Sequence, residues 1–268
     1  MHQTPRVMSE ARNPHDDPEA VRARSEQEDP WVMYLVVRRE RLPSLPELLA
    51  ASATAAVRCV DQWRDHPAWR EGFDAWLTRS FRKVCLRASE KDWAKLQGYD
   101  QGLGHARGAT VLCALPPRTK SQRDKLLVNL QAFTTGDFAA DPGDETADAA
   151  MRLVRNEGVV MSAGKSLAQV AHASLHACGL FERDDPEAFA RWRAAGLPCV
   201  LRGADPGAWS ALKHAEPVAV VRDAGLTEVT PGSETFLALA PTTRDRWSEA
   251  FAALPRLASA HAVRRETH

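Results

Sequence analysis

The chain has no excess of either charge: 35 basic and 35 acidic residues leave a formal net charge of zero over 268 positions. That excludes a strong nucleic-acid-attracting field over the whole molecule and leaves room only for a local basic patch. Cysteine is sparse. Cys59, Cys85, Cys113, Cys178 and Cys199 are odd in number, widely spaced and mostly set in apolar runs. Without a C-x-x-C pair a zinc ribbon is not expected, and the thiols read as small buried hydrophobes in a reducing compartment. No apolar run reaches the ~20 residues of a membrane span. Residues 1–29 are polar, charged and proline-bearing. They lack the apolar centre of a secretory leader and read as a disordered tail. A soluble, cytoplasmic protein is expected. No G-x-S-x-G elbow is present, so a serine nucleophile is not expected.

What is present begins with a repeat. Hydrophobic residues make up 44% of the chain, enough for an ordinary core, and the length suggests about two domains. Met33–Val57 set over Met151–Leu175 without a gap places identical residues at Met33, Leu35, Val36, Ser44, Leu49, Ala50, Ala53 and Ala55. Lys83–Leu96 resembles Cys199–Leu212 with one residue inserted, and Thr110–Pro116 resembles Thr235–Pro241. Each copy reads as a strand (Trp31–Val37; Met151–Val154) and an alanine-rich helix. A second helix (Phe73–Phe81; Pro186–Ala195), a strand (Lys83–Arg87; Pro198–Arg202) and a helix carrying Trp93 or Trp209 follow. The second copy adds strands at Pro217–Arg222 and Thr235–Ala240. Strands alternating with helices predict an α/β fold, each copy a small mixed sheet flanked by helices on both faces. The expected organisation is a tail (1–29), a first copy (30–133), an acidic linker containing Pro and Gly (134–150), a second copy (151–256) and a tail (257–268).

Two stretches of the second copy carry chemistry. Gly158–Ala177 reads GVVMSAGKSLAQVAHASLHA. Its GKS resembles the end of a phosphate loop, G-x-x-x-x-G-K-[ST], but VVMSA puts one residue too many between the glycines and supplies no further glycine. Nucleotide binding through GKS is thus a minor alternative. If a helix starts near Lys165, then Lys165, Gln169, His172 and His176 share one face, beginning at a helix N-terminus that suits developing negative charge. An ordinary solvated face is the competing reading. His172 and His176 could hold zinc, but no HExxH glutamate accompanies them, and packed or solvated histidines are favoured. Asp223-Ala-Gly225 follows the apolar run VAVVR, with Thr227, Thr230, Ser233 and Thr235 close behind. It could point into the crevice at the strand ends of an α/β sheet, or be a polar turn with an Asx cap. Arg79, Arg82, Arg87 and Arg202 could form a basic patch across the copies; a solvated surface is the simpler reading.

Together, GKSLAQVAHA and DAGLTEVTPGSETFLALAP resemble the peptidyl-tRNA hydrolase 2 family. Its motifs are a GK-x-A-A-Q-x-x-H-A helix start and a DAG-x-T-x-x-x-PG-x-x-T turn and strand. The likeness covers Met151–Leu254. It implies catalytic roles for Lys165, Gln169, Asp223, Thr227 and Thr235, and substrate binding by His172, Gly164, Gly225 and Arg155. The implied reaction is metal- and cofactor-free hydrolysis of the ester between a peptide and the 3′ end of tRNA. Asp223 would activate water, and Lys165 and Gln169 would stabilise the oxyanion. The implied partner is peptidyl-tRNA. Ala163 and Leu226 stand where many members have basic residues. The first copy has Glu47, Ala51 and Thr54 in place of Lys165, Gln169 and His172, and Gln101–Ala109 (QGLGHARGA) in place of the DAG turn. Because family members commonly pair, the chain is expected to be a fused pseudo-dimer, monomeric, with a degenerate first half. The alternative is a non-catalytic RNA-binding or regulatory relative.

Overall fold

The computed structural model describes residues 29–40, 42–141 and 149–257. The expected tails, apart from Asp29 and Leu257, and the middle of the expected linker lie outside the described residues. Strand β1 (Val32–Arg38) runs parallel to β2 (Arg82–Ala88). Parallel neighbours need a crossover, here α1 (Leu45–Trp63), the short α2 (Arg70–Ala75) and a π-helical turn, Trp76–Ser80. After α3 (Glu90–Leu96) comes the hairpin β3 (Gly102–Ala106) and β4 (Ala109–Arg118), then α4 (Lys125–Asn129) and β5 (Gln131–Ala132). The sheet order is β3-β4-β1-β2-β5.

The second half repeats this plan with β6 (Ala150–Asn156), α5 (Ala163–Asp184), α6 (Pro186–Ala194), β7 (Cys199–Ala204) and α7 (Pro206–Ala215). Strands β8 (Ala219–Arg222) and β9 (Glu234–Thr242) and helix α8 (Glu249–Ala252) complete it. Its sheet order, β7-β6-β9-β8, matches β2-β1-β4-β3 of the first sheet, with the same parallel and antiparallel pairings; the edge strand β5 lies outside this match. The likeness extends to irregularities: β1 against β4 has a bulge between Val32 and Tyr34, and β6 against β9 has one between Ala150 and Arg152. Ser44 and Ser162 cap α1 and α5, Ser89 and Asp205 cap α3 and α7, and Asp124 and Ser248 cap α4 and α8.

Side chains alternate across a strand, and β1 shows what each face meets. Met33, Leu35 and Val37 join a core shared with Leu48, Leu49 and Ala53 of α1 and Leu167, Val170 and Ala171 of α5. Val32, Tyr34 and Val36 join a separate core under Trp93 and Leu127. In the second sheet, Met151 and Leu153 face the shared core, while Ala150 and Val154 face Trp209, Leu237 and Phe251. Each sheet therefore has helices on both faces, and α1 and α5 pack together between the halves. Four cysteines are buried and Cys199 is partly so; burial raises the Cys85, Cys113 and Cys199 thiols to about 12.

The register corrects several sequence readings. Met33 pairs with Lys83 and Met151 with Cys199, so Lys83–Leu96 and Cys199–Leu212 correspond without an inserted residue. Val37 pairs with Leu112 and Arg155 with Phe236, which makes Val111, rather than Thr110, the counterpart of Thr235. The same pairing puts His105 opposite Thr110 and Arg222 opposite Glu234, so Ala106 corresponds to Asp223. Thus QGLGHARGA is mostly a strand: β3 keeps the place of β8, and Arg107-Gly108 closes a short turn where the second half has its long loop. The expected Phe73–Phe81 helix is broken into α2 and the π-helical turn, ending at Phe81 with φ 50°. Arg202 is no surface residue. It is buried, stacked over Trp247 and Phe251 at 5.4 and 5.7 Å. The expected linker begins as packed chain, with Thr134 O accepting from Gly164 N and Ala139 N donating to Pro43 O. Leu257, expected in the tail, is buried too.

Candidate active site

The site forms where α5 starts beside the loop that follows β8. Ser162 ends the preceding loop and accepts from Lys165 N at 3.1 Å, which fixes the first turn. Glu228, from the loop after β8, accepts from Ser162 N and Oγ at 2.8 and 2.7 Å, tying the two segments together. Gly164 donates its N–H to Thr134 O, and a Cβ there would lie 1.8 Å from Phe133 O. The chain leaving the first half thus crosses the start of α5, and only glycine allows that approach.

Asp223 sits directly after β8 and is held by its own backbone: its N–H donates to Ser233 O and its carbonyl accepts from Gly232 N. Its side chain is 4% exposed and accepts everywhere. Oδ1 accepts from Gly225 N at 2.7 Å. Oδ2 meets Lys165 Nζ at 2.5 Å and Gln169 Nε2 at 2.6 Å. Gly225 has φ 71°, and a Cβ there would strike Pro231. Thr235 donates to Gln169 Oε1 at 2.8 Å, with Val221 O at 3.2 Å, so the amide can only turn its NH2 toward Asp223. Lys165 Nζ also donates to Thr227 Oγ1 at 3.0 Å, and its side chain remains 11% exposed. A buried carboxylate, a cation at the site's mouth and an oriented amide converge within one shell of hydrogen bonds.

This is the pairing on which the resemblance rested, and comparison with known proteins agrees with it. The family described as Peptidyl-tRNA hydrolase PTH2 matches residues 149–257. Peptidyl-tRNA hydrolase 2, mitochondrial, of Homo sapiens is 30% identical over 141 residues, 50% of this chain and 74% of that protein. Peptidyl-tRNA hydrolase of Thermococcus onnurineus is 35% identical over 99 residues, 35% of this chain and 84% of that protein. That of Staphylothermus marinus is 37% identical over 97 residues, 33% and 78% respectively. The chain belongs to the peptidyl-tRNA hydrolase PTH2 family.

The PTH2 match spans the second half, and the topologically corresponding positions of the first half are filled differently. Glu47, at the place of Lys165, pairs with Arg107 at 2.7 Å, while Ala51, Ala106 and Val111 occupy the places of Gln169, Asp223 and Thr235. The ion pair is reversed in sign and lies partly in solvent. Glycines then close the cleft: a Cβ on Gly102 would lie 2.3 Å from Ala55 O, and one on Gly104 2.2 Å from Ala51 O. Backbone of β3 lies against backbone of α1 where the second half has room for side chains.

Other residues expected at the PTH2 site lie apart from Asp223. His172 faces the first half: its Nδ1 is 2.9 Å from Lys83 Nζ and its ring 5.0 Å from Phe81, which also packs His176. Arg155 reaches Met161 O and Glu157 in the loop before α5. Leu226 is exposed and Ala163 buried. Sequence reasoning missed Glu228 and Glu234. Glu234 is half-buried, which alone would raise its pKa, but hydrogen bonds from Lys213 and Trp209 hold it below its ordinary value. Thr227–Glu234 is mostly polar, and nothing in it marks which glutamate turns inward.

Lys83 supplies a pH prediction. Burial holds its amine well below the ordinary lysine value of 10.5. Between its folded pKa and 10.5 the unfolded chain binds a proton that the folded one does not, so stability rises with pH through that window. Lys83→Met should flatten that rise; melting temperature measured across the window, wild type against variant, checks it.

Proposed function

We propose that this chain hydrolyses the ester joining a peptide, or an N-blocked amino acid, to the 3′-terminal ribose of tRNA, at the Asp223 site. The observation that carries this reading is the carboxylate held between Lys165 and Gln169, in a chain belonging to a peptidyl-tRNA hydrolase family. Asp223 takes a proton from the attacking water as the water's oxygen bonds to the ester carbonyl carbon. The carbonyl oxygen becomes an oxyanion beside Lys165 Nζ and Gln169 Nε2, groups already oriented by Thr227 and Thr235. Collapse breaks the bond to the ribose oxygen, which takes up a proton, returning Asp223 to its carboxylate and freeing peptide acid and tRNA. Only side chains of this chain take part in this reading.

Thr235→Val tests how far orientation matters. The first half carries valine at that place, so the shape is tolerated, but Gln169 Oε1 loses its donor and the amide is free to flip. Turnover should fall about tenfold, equivalent to about 1.4 kcal/mol, with the melting temperature little changed.

The chain also reads as two copies of one unit, residues 30–133 and 151–256, fused through 134–150 and acting as a monomeric pseudo-dimer in which only the second copy retains chemistry. Shared strand order, bulges and caps support this. The test of function is release of labelled amino acid from N-acetyl-aminoacyl-tRNA by the full chain. Release at a rate above the uncatalysed rate is expected. Binding of tRNA without release would instead fit a non-catalytic relative.

A further inference from the structure

The first half holds a cleft that the site above does not use. It encloses about 340 Å³ between α2 and the loop after β4. Trp31 and Trp69 line it, with Arg118 and Gln122 from β4 and its loop and Glu71 from α2. Arg118 is 8% exposed. Its guanidinium stacks over Trp69 at 5.0 Å, yet among the described residues its side chain makes no hydrogen bond or ion pair, and its buried Nε is without a partner. Glu71 lines the same cleft without pairing with it. A buried guanidinium is costly unless an oxygen satisfies it; here the Asp124 carboxylate, held by Tyr99, acts on it from beyond ion-pair distance, and the group lines the opening. The aromatic wall is held in place: Trp69 Nε1 donates to Asp100 Oδ2 at 2.6 Å, and Gly72 leaves room for the Trp31 ring, which would lie 2.8 Å from any Cβ there.

We infer that this cleft binds one nucleotide of a single-stranded RNA segment. Indole faces accept a base by stacking whatever its identity. The planar guanidinium matches a phosphate or the acceptor edge of a purine. Glu71 can accept from an exocyclic amine, and Gln122 can donate beside it. A simple carboxylate would leave the indole faces unused, and a simple apolar ligand would leave Arg118 unsatisfied. Lys120 and Arg123 in the adjoining loop and Lys125 at the start of α4 place cations that a phosphate backbone can meet, beside the Asp29 and Asp124 carboxylates. The inference rests on the proposed tRNA reading for its biological sense: the half without chemistry would anchor the nucleic acid whose ester the other half cuts.

The probe is a labelled single-stranded hexaribonucleotide, titrated by fluorescence anisotropy against the full chain and against Trp69→Ala, Arg118→Gln and Gln122→Glu. Gln122 is exposed, so that variant should fold normally while setting a carboxylate at the rim. Affinity is expected to weaken about tenfold or more in the first two and several-fold in the third. An excess of inorganic phosphate should compete only weakly. Hydrolysis of N-acetyl-aminoacyl-tRNA, run in parallel, should show a raised KM with kcat unchanged. No binding by wild type, equal binding by folded Gln122→Glu, or full displacement by phosphate alone would overturn the nucleotide site whatever the hydrolysis assay gives. Binding lost in the variants with no hydrolysis by wild type would overturn the hydrolase reading alone.

Discussion

Asp223→Asn is expected to slow release of peptide from tRNA by about 10²-fold or more, the size associated with losing a general base or an oriented charge. The substitution keeps shape and removes only charge and basicity. Asp223 Oδ1 accepts from Gly225 N, and an asparagine oxygen can do the same. Its NH2 must then face Lys165 Nζ and Gln169 Nε2, both donors, where the wild type presents an acceptor. In the proposed mechanism water loses its base, and Lys165 and Gln169 lose the group that holds them in position. The fold should survive, because Lys165 is not sealed in and still reaches Thr227 Oγ1. Single-turnover rates, with circular dichroism melting of the same sample, check both halves of the expectation.

Gly104→Val should have the largest effect on stability, a loss of about 3 kcal/mol, at the upper end for overpacking. Valine is the residue at the corresponding place in the second half, Val221, where it is accommodated. In the first half the new Cβ would sit 2.2 Å from Ala51 O and 2.8 Å from Ala51 C. Those are backbone atoms of a helix packed into the shared core, and no side-chain rotation relieves them. Chemical denaturation should show a large fall in midpoint. The contrast with a tolerated Thr235→Val would locate the two halves' difference in backbone spacing as well as in lost side chains.

The cluster of Lys165, Gln169 and Asp223 was legible because its parts are local in sequence. Lys165 and Gln169 are one helical turn apart, and Asp223 directly follows an apolar strand. Its supports were not, because they depend on distant chain: Glu228 on Ser162, and Phe133 and Thr134 on Gly164. Strand β3 was hidden by its own glycines, which weaken strand signals yet are what let α1 approach. The one-residue slip between Thr110 and Thr235 came from matching like residues along two apolar strands, where only pairing sets the register. Arg202 misled because arginine is usually exposed; two aromatic rings bury it here. The sheets and the alanine-rich helices were readable from hydrophobic pattern.

The most direct test of the account is hydrolysis of N-acetyl-aminoacyl-tRNA by the full chain, comparing wild type, Lys165→Ala and Glu47→Ala, the same change at corresponding places in the two halves. Wild type and Glu47→Ala are expected to release the amino acid at similar rates, while Lys165→Ala falls by about 10²-fold or more. A folded wild type that binds tRNA but releases nothing, or a Lys165→Ala variant as active as wild type, would contradict it.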